Sequence, residues 1–182
     1  MRKVIYGGAI SLDDYLAGPG DAIDWLRWSD DSAKIAAENF RGVDAMLMGR
    51  KTFEFGQKMG GGPEMKGVTT YVLSRTLDED EFRARTSPGR SAPELVREDA
   101  ADFVRQLKSA PGGGIFVMGG GELGSALLEA GLVDEIGFSI HPGLLGGGTP
   151  AFLPFGRRID LELIEARAIA RECVLVRYRV RN

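Results

Sequence analysis

Short apolar runs that stop at glycine and hand over to a helical pattern recur along this chain, and they constrain its architecture more than any other feature. "AMLMG" leads into "RKTFEFGQKM", and "IFVMGGG" leads into "ELGSALLEA". Runs of this length, without polar alternation, fit strands buried on both faces, as in a parallel sheet. Lys3 to Ile10, Ala45 to Met48, Val68 to Ser74, Ile115 to Met118 and Val133 to Ile140 read as such strands. Asp30 to Arg41 reads as a helix capped by Asp30 or Asp31, with Ala33, Ala36, Ala37 and Phe40 as its apolar stripe and Gly42 as its stop. A short helix follows Gly49. Asp99 to Ser109 reads as another, capped by Asp99, with Ala100, Phe103, Val104 and Leu107 facing inward; a further helix runs from about Glu122 to Ala130.

"SLDDYLAGPGD", "GGGPEMKG", residues 75 to 93 and "HPGLLGGGTPAF" read as loops, with a short edge strand after the third. Leu161 to Ala170 and Glu172 to Val180 read as paired strands. In the second, Val174, Val176, Tyr178 and Val180 alternate with Leu175, Arg177 and Arg179. The order predicts a single α/β domain with a mostly parallel central sheet, helices on both faces and an antiparallel C-terminal strand pair.

The 182 residues suffice for one sizeable core, and a net charge of −3 gives no electrostatic reason to expect nucleic acid. No apolar run approaches the ~20 residues of a membrane span. Cys173 and His141 are the only residues of their kinds, which argues against a disulfide or a cysteine- or histidine-built metal site. The expectation is a cytoplasmic protein without a metal.

Gly119, Gly121 and Gly124 match the G-x-G-x-x-G spacing of a dinucleotide fold. That fold also needs an acid at the end of the next strand. Here the next strand ends at Ile140, before His141 and Pro142, and Asp134 and Glu135 stand at its start. The local physics survives: a strand running through glycines into a helix leaves N–H groups pointing along the positive end of the helix dipole. Turning and packing remain the competing role for these glycines. "MLMGRKTF" places Gly49, Arg50, Lys51 and Thr52 at a second such corner, and "TTYVLSR" ends a strand with Ser74 and Arg75. Three corners on one carboxyl edge favour a shared anionic ligand.

Together these stretches resemble the dihydrofolate-reductase-like fold, and within it the branch containing the reductase domain of riboflavin biosynthesis and its stand-alone relatives. "SLDDYLAGPGD…DWL", "MGRKTFE", "VLSR", "VMGGGELGSALLEAGLVDEI" and "HPGLLGGGTPAF" carry the resemblance in this order. It implies NADPH as hydride donor. By motif, Gly49 to Thr52 and Gly119, Gly120, Gly121, Glu122 and Leu123 would hold the diphosphate. Ser74 and Arg75 would hold the 2′-phosphate, and Ala9 and Leu16 would meet the nicotinamide carboxamide. The substrate, a pteridine or 5-amino-6-ribosylaminouracil-phosphate type of heterocycle, would lie between the first strand's end, "SLDDYLAG" and "LLGGGTPAF". A homodimer is implied as well.

The chain departs from the branch at Asp14, where glycine is usual, although Asp tolerates the left-handed conformation. Asp30, Asp31 and Glu38 compete for the pterin-binding acid of folate reductases. No deaminase module is evident. Asp13 is the candidate for substrate binding or proton delivery, with an Asx turn as its alternative role. Ser11, Trp25, Phe53 and Phe55 are further candidates for the substrate wall, with core packing as the alternative for the three aromatics, and His141 reads as structural. The alternative function is a non-catalytic nucleotide- or flavin-binding protein that keeps the fold.

Overall fold

The computed structural model describes residues 1–61, 65–85 and 92–181. Parts of the "GGGPEMKG" and 75–93 loops, including Ser87, Pro88 and Gly89, lie outside them. In chain order the elements are β1 (Val4–Ser11), β2 (Tyr15–Ala17), α1 (Asp30–Asn39), β3 (Val43–Gly49), α2 (Arg50–Lys58), β4 (Thr69–Leu73), α3 (Glu79–Ala84), β5 (Glu94–Val96), α4 (Ala100–Ser109), β6 (Gly114–Met118), α5 (Gly121–Glu129), β7 (Glu135–His141), β8 (Thr149–Pro150), β9 (Asp160–Ile169) and β10 (Cys173–Arg181). A 3-10 turn covers Pro19–Asp21.

The main sheet has the order β5-β4-β3-β6-β1-β7-β10-β9. Pairing is parallel from β5 through β7, and β10 is antiparallel to both β7 and β9. The period of two along β3 divides its side chains between two cores. Ala45 and Leu47 pack with Val104 of α4 and with Leu127 and Leu128 of α5. Met46 and Met48 pack with Phe53 of α2 and Phe82 of α3. Helices therefore cover both faces, and each fully buried aliphatic side chain contributes about 1.5–3 kcal/mol.

Several local expectations need correction. Ser29, not Asp30 or Asp31, caps α1, its hydroxyl accepting the Ser32 N–H. Ile35 is the helix's buried residue, while Ala33, Ala36 and Ala37 are exposed. Small methyl groups bury little area, so other anchors orient α1. Phe40 packs on Phe116, Glu38 pairs with Arg167, and Asp31 accepts the Ala170 N–H. The loop readings missed α3, started by Asp78, and the β2–β8 pair. In β10, Cys173 and Leu175 are buried and Val174 is exposed. Val180 is buried as well, so the strand does not present one uninterrupted alternation; its pairing with β9 shifts register at Arg177/Tyr178, where Ile164 of β9 is the extra residue.

Candidate active site

Because β4, β3 and β6 are neighbours and run in parallel, their carboxyl ends sit side by side. A groove of about 750 Å³ lies along that edge. Gly49, Arg50, Lys51 and Thr52 line it from the β3–α2 corner, Ser74 and Arg75 from the end of β4, and Gly120, Gly121, Glu122 and Leu123 from the β6–α5 corner. Leu16 lines it from β2.

The glycines of the β6–α5 corner divide their tasks. Gly119 and Gly120 have φ values of 60° and 65°, which side-chain-bearing residues rarely adopt. Gly121 and Gly124 permit close approach. A Cβ on Gly121 would stand 2.0 Å from the Pro150 carbonyl oxygen, and one on Gly124 would stand 2.3 Å from the Tyr6 ring. Turning, packing and openness to the groove thus coexist in one motif.

The helix starts are unequal. Ser29, Asp78 and Asp99 cap α1, α3 and α4 with side-chain oxygens. α2 and α5 begin at Gly49 and Gly120 without a side-chain cap. A Cβ on Gly49 would meet nothing within 4 Å, and one on Gly120 nothing nearer than 3.8 Å. The N–H groups at these two starts therefore face the groove's edge without a side-chain acceptor. Arg50 donates from Nε to Glu54 at 2.7 Å. This bond, followed by the carboxylate's charge, raises the pKa of the guanidinium. Lys51 is exposed and has no ion-pair partner among the described residues.

At the far end, the Ser74 hydroxyl accepts N–H groups from Leu77 and Thr76, forming a tight turn. Arg75 donates to Asp99 at 3.0 Å. Asp99, Glu98 and Ala100 also line the groove. These α4 residues were missed as site residues, although their position mirrors Gly49: each begins a helix just past a parallel strand. Asp21 was missed as well, whereas Phe55 and the Gly148–Pro150 stretch of the "LLGGGTPAF" loop, both expected near the ligand, line the groove.

Of the residues expected in the substrate wall, Phe55 lines the groove and Ser11, Asp13, Trp25 and Phe53 do not. Phe53 is 4% exposed and packs on Phe82; Phe55 of the same helix takes the groove position. Trp25 stacks edge-on against His141, with Nε1 donating to the Ala22 carbonyl. Ser11 is buried; its hydroxyl donates to Asp13 at 2.6 Å and accepts the Tyr15 N–H. Ala9 lies within β1 opposite Ser139, away from the groove, and Gly119 is packed against Thr52 just behind it. Asp30, Asp31 and Glu38 do not reach the groove either.

The geometry corrects the role given to Asp13. Its carboxylate accepts the Leu145 N–H at 3.0 Å and the Gly146 N–H at 2.8 Å, besides the Ser11 hydroxyl. The Ser11 bond, then the Gly146 N–H, lowers its pKa to about 2. A group so acidic holds no proton to deliver near neutrality; it straps the loop after β7 to the turn after β1. Asp14 keeps that turn by adopting φ 65°, and its carbonyl accepts the Ala151 N–H. His141 is buried, and its Nδ1 accepts the Arg27 N–H at 3.0 Å. Burial, and secondarily Arg27, hold its pKa below the ordinary imidazole value.

The described residues contain no helix long and apolar enough to cross a membrane and no cluster suited to a metal ion. Residues 2–175 match the model of the RibD C-terminal domain. The uncharacterized protein YyaP of Bacillus subtilis (strain 168) is 28% identical over 98% of this chain and 95% of its own length. YwjB of the same organism, also uncharacterized, is 27% identical over 89% of each.

Among solved structures, a Shewanella sp. PV-4 protein provisionally named for riboflavin biosynthesis superposes with a TM-score of 0.84, at 22% identity over 99% of both chains. Dihydrofolate reductase from Enterococcus faecalis, complexed with NADP(H), superposes at 0.68, with 15% identity over 99% of this chain and 97% of its own. The Thermotoga maritima diaminohydroxyphosphoribosylaminopyrimidine deaminase/5-amino-6-(5-phosphoribosylamino)uracil reductase superposes at 0.71, with 16% identity; it covers 98% of this chain, which spans 56% of it. The parallel sheet with its antiparallel C-terminal pair is thus the dihydrofolate-reductase-like fold, and this chain belongs to the RibD C-terminal domain family.

Proposed function

We propose that this chain is an NADPH-dependent reductase of a small heterocycle of the pteridine or aminouracil ribosyl-phosphate type. The observation that carries the reading is the pair of uncapped helix starts, at Gly49 and Gly120, opening on one groove. Backbone N–H groups at such starts suit a diphosphate, and the glycines leave space for it. Lys51 adds a cation with no ion-pair partner among the described residues. The groove's volume falls within the usual range of cofactor sites.

NADPH, when bound, supplies the hydride. The protein's part is to orient and to exclude water. Leu16, Ala17 and Ile23 form an apolar wall at one end of the groove, and Phe55 adds an aromatic one. Arg75 would take the 2′-phosphate, with Ser74 holding the turn that presents it. Asp13, strapping the loop, contributes position and no proton.

Titration of the full chain with NADPH, followed by calorimetry, is the first test, and absence of binding at millimolar nucleotide overturns the reading. Oxidation of NADPH in the presence of pterins and aminouracil ribosyl-phosphates then separates a reductase from a non-catalytic nucleotide binder. Replacement of Arg75 by Ala is expected to weaken NADPH by about tenfold, near the lower limit for a hydrogen bond to a charged group because the side chain is 70% exposed. NADH should change little. Equal losses for both would remove Arg75 from the 2′-phosphate role.

A further inference from the structure

The groove is polarised along its length. At its middle, α2 and α5 offer uncapped N-termini beside Lys51. At the β4–α4 end the third helix start is already filled: Asp99 Oδ1 accepts the Ala101 N–H at 2.9 Å. The other oxygen of the same carboxylate holds Arg75 at 3.0 Å, and Glu98 stands next to it on the groove wall. The Arg75 backbone is fixed as well. Its carbonyl accepts from Arg97, whose second Nη bonds the Leu77 carbonyl at 2.9 Å. Thus Arg75, which lines this end of the groove, is shared with a carboxylate, in a place where a second carboxylate adds repulsion toward any incoming phosphate.

We propose that Asp99 is a specificity-determining residue. By holding Arg75, it lowers the groove's affinity for a nucleotide carrying a 2′-phosphate toward that for the same nucleotide with a free 2′-hydroxyl. This inference rests on the nucleotide reading above. A 2′-phosphate must compete with Asp99 for the guanidinium and lie near like charge. A ribose hydroxyl loses nothing by a carboxylate neighbour and can donate to it.

The test is calorimetric titration of the full chain with NADP+ and NAD+, and with 2′,5′-ADP and 5′-AMP as fragments that carry or lack the 2′-phosphate. Wild type is compared with Asp99→Asn. Asn caps a helix as well as Asp does, so α4 keeps its start while the charge is removed. Asp99→Ser is the second cap-competent variant should the first fail to fold. The expected result is a rise of about two- to fivefold in the affinity ratio of phosphorylated over unphosphorylated nucleotide, the factor an exposed charge pair commands. The rise should shrink with salt, and it should fall markedly when Arg75→Ala is added, leaving the part due to direct repulsion by Asp99, whereas a purely structural effect on α4 would leave it unchanged. An unchanged ratio in a variant that binds both nucleotides overturns the role of Asp99 and leaves the nucleotide reading standing. No binding of any of these nucleotides by wild type overturns the nucleotide reading itself.

Discussion

Tyr6 occupies the space that Gly124 leaves open, and its hydroxyl donates to the Ala151 carbonyl at 2.5 Å. Burial raises the pKa of that phenol, so it remains a neutral donor at any ordinary pH. Adding one methyl group by Gly124→Ala forces the ring or the helix to move, at a cost of about 1–3 kcal/mol, seen as a lower urea midpoint. Gly49→Ala is the contrast. Its φ of −81° suits alanine and its surroundings are open, so the midpoint should hold while nucleotide affinity falls. An equal loss of stability in both variants would refute this division of labour.

His141 titrates in a definable direction. Unfolded, it takes up a proton near its ordinary pKa of about 6.5; folded, burial resists the charge and the Arg27 N–H needs its lone pair. The unfolded chain therefore binds more protons as the pH falls. The contribution to stability is present above about pH 6.5 and is lost as the pH drops through the folded value. Urea midpoints across that window should fall for wild type and fall less for His141→Gln.

Among the elements, the strap between the turn after β1 and the loop after β7 is held by one carboxylate. Asp13→Asn keeps an acceptor but removes the charge, so the Leu145 and Gly146 amides should exchange hydrogen faster while nucleotide binding at α2 and α5 is retained. Unaltered exchange at both amides would remove the strap.

The same scale shows where sequence was legible. Strands β1, β3, β6 and β7 announced themselves because residues on both their faces are buried, which leaves a mostly apolar run. The corners at Gly49, Ser74 and Gly120 followed from parallel strand order, since neighbouring strands place their carboxyl ends together. β2 and β8, of three and two residues, exist through pairing with each other across 132 to 135 positions of chain, and no local pattern encodes that. α3 buries only Phe82 among charged neighbours, so it lacks an apolar stripe. The face of α1 was misread because an ion pair and a hydrogen bond, not hydrophobic period, orient it. Phe53 and Trp25 have the chemistry of a stacking surface, but their rings pack on Phe82 and His141, and no sequence pattern shows that.

For the whole molecule, the sheet's last strand leaves Leu161, Leu163 and Ile164 exposed by 41%, 56% and 43%. Edge strands with apolar side chains invite pairing with another chain. A homodimer is the expected assembly, and light scattering at micromolar concentration checks it; a monomer mass there would exclude it.

One arrangement already described reaches further than the atoms involved. The backbone at 150–151 is clasped three ways: by the floor of the glycine helix at Gly121, by the phenol of Tyr6 and by the carbonyl of Asp14. Upstream, Asp13 pins 145–146. What hangs between is a tiny span with both posts driven in. Its residues can change while the posts keep their place, and because Gly148 to Pro150 line the groove, such changes would reshape that wall without unfastening the loop.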